Sequence, residues 1–257
     1  MNFSVLNWNI EGTKYYTSTS LNKITPSLEK SSADIFCLQE AQELREKLSN
    51  FNKLQQLNHI FPASEDNRNI ILSKFPIISS GELAFPPLTN NPLEKVLWAE
   101  IAIETKTLKI YNCHFEIIGV GPQQRASQLA VVLADAKKHI GPVIICGDLN
   151  TTIPAAGWGR KFVQWFHKET DASLILDGQC SPLDERYPFV KIAERAGFRE
   201  ALDISQTTWC IKPFYLEIFN LKLDWFFVRD LKTPRISLGA YISDHRSILA
   251  EFSTPQN

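Results

Sequence analysis

The segment Pro142-Val143-Ile144-Ile145-Cys146-Gly147-Asp148-Leu149-Asn150 runs an apolar stretch directly into a carboxylate and an amide. A short apolar run that starts after Gly-Pro predicts a strand buried on both faces. Where such a strand leaves the core, its next side chains meet solvent, so Asp148 and Asn150 are expected at a cleft. Five further segments repeat the pattern: Asn7-Trp8-Asn9-Ile10, Leu38-Gln39-Glu40, Asn112-Cys113-His114-Phe115, Leu223-Asp224-Trp225 and Ser243-Asp244-His245. Each alone is ambiguous. A strand-terminal Glu such as Glu40 also occurs as a solvated end, His114 as a satisfied polar residue, and Asp224 as a capping carboxylate.

Working outward, Phe3 to Ile10 and Asp34 to Glu40 read as buried strands, and Leu223 to Val228 and Arg246 to Phe252 as two more. Leu97, Ala99, Ile101 and Ile103 alternate with their neighbours, and a second strand follows from Leu108 to Phe115 after Thr105-Lys106-Thr107. That is a hairpin, hence antiparallel pairing. Helices are expected from Pro122 to about Gly141, from Phe189 to Ala196 before Gly197, and from Ala41 to Phe51. Pro26, Pro86, Pro87 and Pro92 read as loop or helix-start residues. Antiparallel strands with interspersed helices predict an α/β sandwich of mixed sheets rather than a regular βαβ succession.

The chain has 257 residues, 44% of them hydrophobic and 21% charged, which suffices for a sizeable core and excludes a disordered protein. A net charge of −1 supplies no global field for nucleic acid or an anionic membrane, and leaves a local patch open. Five cysteines, without a C-x-x-C pair, suggest neither a disulfide framework nor a zinc ribbon. No run approaches the ~20 apolar residues of a membrane span, and no leader pattern opens the chain. The expectation is a soluble cytoplasmic protein with no membrane span and no obligate protein partner.

Taken together and in this order, the six segments resemble the endonuclease/exonuclease/phosphatase family, the deoxyribonuclease I-like proteins. Gly147-Asp148-Leu149-Asn150 and Ser243-Asp244-His245 are the most specific pieces, and Asn69-Ile70-Ile71-Leu72-Ser73-Lys74-Phe75-Pro76 is similar to the family's structural strand and turn. The resemblance implies one domain over residues 1–257, a four-layer sandwich of two mixed β-sheets flanked by helices with the site at one end. It also implies a divalent-metal-dependent phosphoester hydrolase, most plainly a phosphodiesterase or nuclease acting on nucleic acid or nucleotide-like substrates. Phosphomonoester and sphingolipid or inositol-phosphate hydrolysis are the alternatives on the same core. A catalytically inactive binding module is disfavoured, because every ionisable motif position is filled.

The chemistry agrees with the resemblance. Phosphoester hydrolysis needs a hard cation on oxygen ligands, a water in line with the leaving oxygen, and donors for the charge on the phosphoryl oxygens. Glu40 is the first metal ligand expected, with Asp244 and Asn9 beside it, for Mg²⁺ or alternatively Mn²⁺. The resemblance assigns Asp148 to orient or deprotonate the attacking water, Asn150 and His114 to the phosphate, His245 to a phosphate-contacting imidazole, and Asp224 to fixing its tautomer. Whether Asp148 or His245 is the base stays open. His114-Phe115-Glu116 followed by Gln124-Arg125-Ala126-Ser127-Gln128-Leu129 loosely resembles the tyrosyl-DNA phosphodiesterase branch, although Leu149 stands where that branch carries a threonine. Arg125 is either a phosphate clamp or a buried ion-pair partner. Either Trp158, Arg160, Lys161, Trp165 and Phe166 form a substrate rim that stacks a base and holds a phosphate, or Phe162, Trp165 and Phe166 are the apolar face of a helix.

Overall fold

The structure is a computed structural model that describes residues 2–10, 21–64, 67–85, 95–115, 122–154, 186–202, 206–210 and 220–253. Thirteen strands are described: β1 (Asn2–Asn9), β2 (Ile35–Gln39), β3 (Asn58–Ile60), β4 (Ile70–Ser73), β5 (Ile77–Ala84), β6 (Lys95–Ile103), β7 (Lys106–His114), β8 (Val143–Pro154), β9 (Arg199–Glu200), β10 (Trp209–Cys210), β11 (Asn220–Arg229), β12 (Arg235–Tyr241) and β13 (Arg246–Ser253). They form two mixed sheets. One runs β12-β13-β1-β2-β4-β3, with only β1 and β2 parallel. The other runs β10-β11-β8-β7-β6-β5, with only β7 and β8 parallel, and β9 pairs with β11.

Strand alternation sorts the apolar side chains into three layers. Phe3 and Val5 of β1, Ile35 and Cys37 of β2, Ile144 and Cys146 of β8, and Phe226 and Val228 of β11 meet between the sheets in one buried core. The intervening residues point outward: Leu6, Trp8, Phe36 and Leu38 lie under Ile24, Leu28 and Leu44 of the helices α1 (Leu21–Lys30) and α2 (Gln42–Lys47). On the second sheet Tyr111, Ile145, Trp225 and Phe227 lie under Leu129, Leu133 and Phe189 of α3 (Pro122–Ala136) and α4 (Arg186–Arg195). Both faces of each sheet are therefore covered, and this is why the central strands read as continuous apolar runs. The result is the four-layer sandwich the resemblance implied.

The element boundaries depart from expectation where tertiary pairing overrides local pattern. The helix expected from Ala41 to Phe51 is α2 followed by a 3-10 turn at Leu48–Asn50. Pro26 lies inside α1, exposed to solvent, rather than in a loop or at a helix start. Gly197 ends α4 as predicted: its φ is +83°, and the Phe198 N–H returns to the Ala193 carbonyl at 2.9 Å. β8 does not stop at Asp148. Its register with β11 jumps from Asp148 opposite Asp224 to Ile153 opposite Lys222, so Leu149, Asn150, Thr151 and Thr152 face Leu223 alone. That bulge, with Asn150 at φ +49°, turns the backbone at the mouth of the sandwich and re-aims its side chains.

Candidate active site

Period-two alternation carries the inward-facing positions past the apolar core into a polar layer. Above Val5 comes Asn7 and then Asn9; above Cys37 comes Gln39; above Ile110 come Asn112 and His114; above Cys146 comes Asp148; above Phe226, in the antiparallel direction, comes Asp224. Register aligns these rungs, since His114 and Asp224 both lie opposite Asp148, and Asn9 lies beside Gln39. Gly147 makes the close approach possible. Its φ is +141°, and a Cβ there would lie 1.9 Å from the Cys113 carbonyl oxygen.

Asp148 is the hub and is only 2% exposed. Its Oδ1 accepts the Asn150 N–H at 3.0 Å, and its Oδ2 accepts Asn9 Nδ2 at 3.0 Å. The same Oδ2 lies 3.5 Å from His245 Nε2 and 3.8 Å from His114 Nε2. Asn9 Nδ2 also reaches Glu40 Oε1 at 3.3 Å, and His114 Nε2 lies 4.0 Å from that oxygen. Glu40 follows β2 with φ +52°, a left-handed conformation that costs a side-chain-bearing residue energy and that the surrounding contacts must hold. Asn150 Nδ2 donates to the Phe115 carbonyl at 2.7 Å, so this amide braces the loop after His114.

His245 and Asp224 form a buried pair, Nδ1 to Oδ2 2.8 Å. Burial pushes the Asp148 carboxyl up to about 6, and Asp224 adds to the rise, against the pull of His245, His114 and the Asn150 N–H. Burial disfavours a charged His245 ring, but Asp224, Asp244 and Asp148 outweigh it and hold its pKa well above the ordinary 6.5. At neutral pH the ring therefore carries a proton between two carboxylates, while most of Asp148 is ionised.

The loop bearing His245 is fixed from several sides. Ser243 Oγ lies 2.9 Å from the Asn9 carbonyl, and Trp8 Nε1 donates to the His245 carbonyl at 3.1 Å. Trp209 Nε1 donates to Asp244 Oδ2 at 2.8 Å, and the Thr208 hydroxyl accepts both the Leu223 and Asp224 N–H groups at 3.1 Å. The six predicted segments thus converge at one end of the sandwich: Asn9, Glu40, His114, Asp148, Asn150, Asp224 and His245 are linked by direct contacts, with Asp244 beside His245. Arg125 is buried on the first turn of α3, which both of its readings accommodate. Trp158, Arg160, Lys161, Phe162, Trp165, Phe166 and Glu116 lie outside the described residues. Clefts of about 490 Å³ around Arg199 and Arg229 and about 550 Å³ around His59 and Ile77 contain none of the predicted site residues.

The model of the endonuclease/exonuclease/phosphatase family matches residues 6–245, which is the span from β1 to His245. The chain belongs to this family. Its members hydrolyse phosphoesters, and so this is a phosphoester-hydrolysing enzyme. Among solved structures it is similar to a humanized D. rerio TDP2 carrying 14 mutations, with TM-score 0.69 and 19% identity over 98% of this chain and 99% of that one. A truncated Caenorhabditis elegans TDP2 gives TM-score 0.67 and 18% identity over 98% and 97% of the two chains. ANGEL2, a 2′,3′-cyclic phosphatase crystallised with adenosine-2′,3′-vanadate, gives TM-score 0.65 and 15% identity over 98% and 95%. At such identities these likenesses establish the shared fold. None of the curated proteins compared matches the chain.

Whether the residues fit a divalent cation can be judged from their donor chemistry. No cluster of three or more His, Cys, Asp or Glu side chains suited to a metal occurs among the described residues. Mg²⁺ does not require one, because one or two carboxylates with water complete its octahedron. Asp244 Oδ1 is buried and has no hydrogen-bond partner among the described residues, and Glu40 presents its carboxylate beside Asn9 at the mouth. Hard oxygen donors of this kind fit Mg²⁺ or Mn²⁺ and not a soft metal.

Sequence reasoning assigned no role to Asn7, Gln39, Asn112, Thr208, Trp209 or Ser243. The first three stood inside quoted motifs, and their signal was an amide on the inward parity of an otherwise buried strand. Thr208 precedes and Trp209 opens β10, a two-residue strand with no periodicity to read.

Proposed function

We propose that this enzyme is a divalent-metal-dependent phosphodiesterase acting on nucleic acid or a nucleotide-like molecule, with its catalytic machinery in one domain over residues 1–257. The observation that carries the proposal is the convergence on Asp148 Oδ2 of Asn9, His114 and His245, with Glu40 alongside. The D. rerio TDP2 crystallised with a single-strand DNA product and the ANGEL2 complex with an adenosine derivative support a nucleotide-like substrate. The resemblance around His114 and Arg125 favours the same branch.

The chain's own residues divide the work. Glu40 and Asp244, with Asn9 nearby, would hold Mg²⁺, which when bound neutralises charge on the scissile phosphate. Asp148, mostly ionised at neutral pH, orients a water and takes its proton. The Asn150 N–H and the Asn9 amide fix both carboxylate oxygens of Asp148, so its direction is set before substrate arrives. His245, protonated and held by Asp224, donates to the phosphoryl oxygen as charge develops there, and His114 sits where it meets the phosphate or leaving group.

The test is turnover with Mg²⁺, then with excess chelator, on three probes: a single-stranded oligonucleotide bearing a 5′-aryl phosphodiester, a nucleoside 2′,3′-cyclic phosphate, and p-nitrophenyl phosphate as monoester. The proposal expects chelator-sensitive cleavage of a diester in preference to the monoester. Full turnover after exhaustive chelation, or preference for the monoester, contradicts it.

A further inference from the structure

Beneath the catalytic layer three side-chain amides, Asn7, Gln39 and Asn112, are each fully buried. They lie on three different strands spanning both sheets, and they connect the backbone to Asp224. Their orientation follows from their partners alone. Asn112 faces the carbonyl oxygens of Leu38 and Ile70, each at 2.9 Å; carbonyls only accept, so the atom there is Nδ2. Its Oδ1 then faces Gln39 at 2.6 Å, which requires Nε2 on Gln39. The second hydrogen of that nitrogen goes to Asn7 Oδ1 at 2.8 Å, and Gln39 Oε1 has no hydrogen-bond partner among the described residues. Asn7 must therefore turn Nδ2 to Asp224 Oδ1, and it does so at 3.2 Å.

We propose that Asn7, Gln39 and Asn112 form a hydrogen-bond relay, donating outward from Gln39 Nε2 to both sides, that positions Asp224, fixing His245 with Nδ1 as the donor and Nε2 turned toward Asp148 and the substrate. The relay occupies Oδ1, so the carboxylate cannot rotate about its own axis without giving up the Asn7 bond. Oδ2 stays aimed at His245 Nδ1. The backbone carbonyls of Leu38 and Ile70 set the amide orientation at one end, and the orientation of the His245 ring on Asp224 is its consequence at the other. Asn7 is a positioning residue: it acts on Asp224 and touches no reacting atom. A single flipped amide in the relay would confront two acceptors somewhere along the line, which is costly in a buried layer.

This inference rests on the Asp224–His245 unit of the proposed function, but its readout does not require turnover. Label the full chain with ¹⁵N-histidine and record the His245 Nδ1–H proton, which a short bond to a carboxylate moves far downfield of other exchangeable protons. Asn7→Asp keeps the volume and the Gln39 bond but replaces the donor to Asp224 with an acceptor. Gln39→Glu makes the same reversal one step away from Asp224, and it carries the test should Asn7→Asp fail to fold. In folded variants of both, the relay predicts that the resonance is lost or moves upfield. It also predicts that kcat for bis(p-nitrophenyl) phosphate with Mg²⁺ falls about 10- to 100-fold at unchanged KM, the range for removing partners that orient a working imidazole. An unchanged resonance in either folded variant overturns the relay, as does its absence in the wild type. A wild-type resonance that both variants abolish, in a protein that cleaves no phosphoester, would leave the relay standing and remove the proposed function instead.

Discussion

Replacing Asp224 with Asn separates the charge of this carboxylate from its shape. Asn7 Nδ2 lies 3.2 Å from Asp224 Oδ1, so the new amide keeps its oxygen there and turns its NH₂ toward His245 Nδ1, 2.8 Å away. Nδ1 must then accept, and the ring is driven into the neutral tautomer with its proton on Nε2, facing Asp148. The electrostatic loss can be sized: opposite charges about 4 Å apart attract by about 4 kcal/mol at the effective dielectric of a protein site. Since Asp224, Asp244 and Asp148 together hold the ring above its ordinary value, losing the nearest of them returns His245 to neutrality at pH 7. A protonated ring is required, so the alkaline limb of kcat against pH moves to lower pH, and kcat at pH 7 falls by about 10²–10⁴. Because the loss acts through the ring, Asp224→Asn/His245→Ala should be scarcely slower than His245→Ala. Losses that multiply, or an alkaline limb that stays in place, would refute the pairing.

Three further outcomes follow from the structure. Glu40→Gln should raise the Mg²⁺ concentration required for half-maximal turnover while the melting temperature stays within a few degrees, because Glu40 lies after the end of β2 and leaves the apolar run intact; a metal titration of the variant decides this. Gly147→Ala should lose at least about 3 kcal/mol in urea melts, since its Cβ would sit 1.9 Å from the Cys113 oxygen at φ +141°; a near-wild-type midpoint would show that β7 and β8 can separate there. Asp34 is pushed up by burial, but bonds from Lys74 Nζ at 2.8 Å and from the Ser4 N–H and hydroxyl hold its pKa below 3.8. A folded value below the unfolded one means a contribution present above about pH 4 and lost as pH falls through the folded value. The stability gap between wild type and Asp34→Asn should thus be widest near pH 6 and close in acid, and a gap independent of pH contradicts it.

The fold was legible where a strand was buried on both faces, because Pro142 to Asp148 and Leu223 to Val228 have no competing periodicity. It was less legible at α1, where Pro26 argues against a helix interior on local grounds and the packing of Ile24 and Leu28 on the first sheet overrides it. The strands β3, β5 and β12 sit at sheet edges, and β5 alternates between half-buried and exposed positions that carry little apolar signal. Of the site, every charged member could be read from sequence because a carboxylate or imidazole at the end of an apolar run is conspicuous. The amides Asn7, Gln39 and Asn112 were quoted within those runs, yet their connection depends on registers between strands far apart in sequence. No local pattern encodes that. The left-handed backbones of Glu40 and Asn150 were equally hidden, since neither is a glycine and each is held by its tertiary contacts.

The most direct test of the account is the Mg²⁺-dependent turnover of a phosphodiester by Asp148→Asn. Both Asp148 oxygens accept hydrogen bonds, from the Asn150 N–H and from Asn9, so the amide must set its NH₂ against one of these donors. That mismatch should cost about 1–3 kcal/mol of stability and leave the enzyme folded. With the charge gone, water is neither oriented nor deprotonated, and kcat should fall by about 10²–10⁴ with KM little changed. A folded Asp148→Asn variant that retains more than about a tenth of wild-type kcat would contradict the central claim that this buried carboxylate is where the chemistry begins.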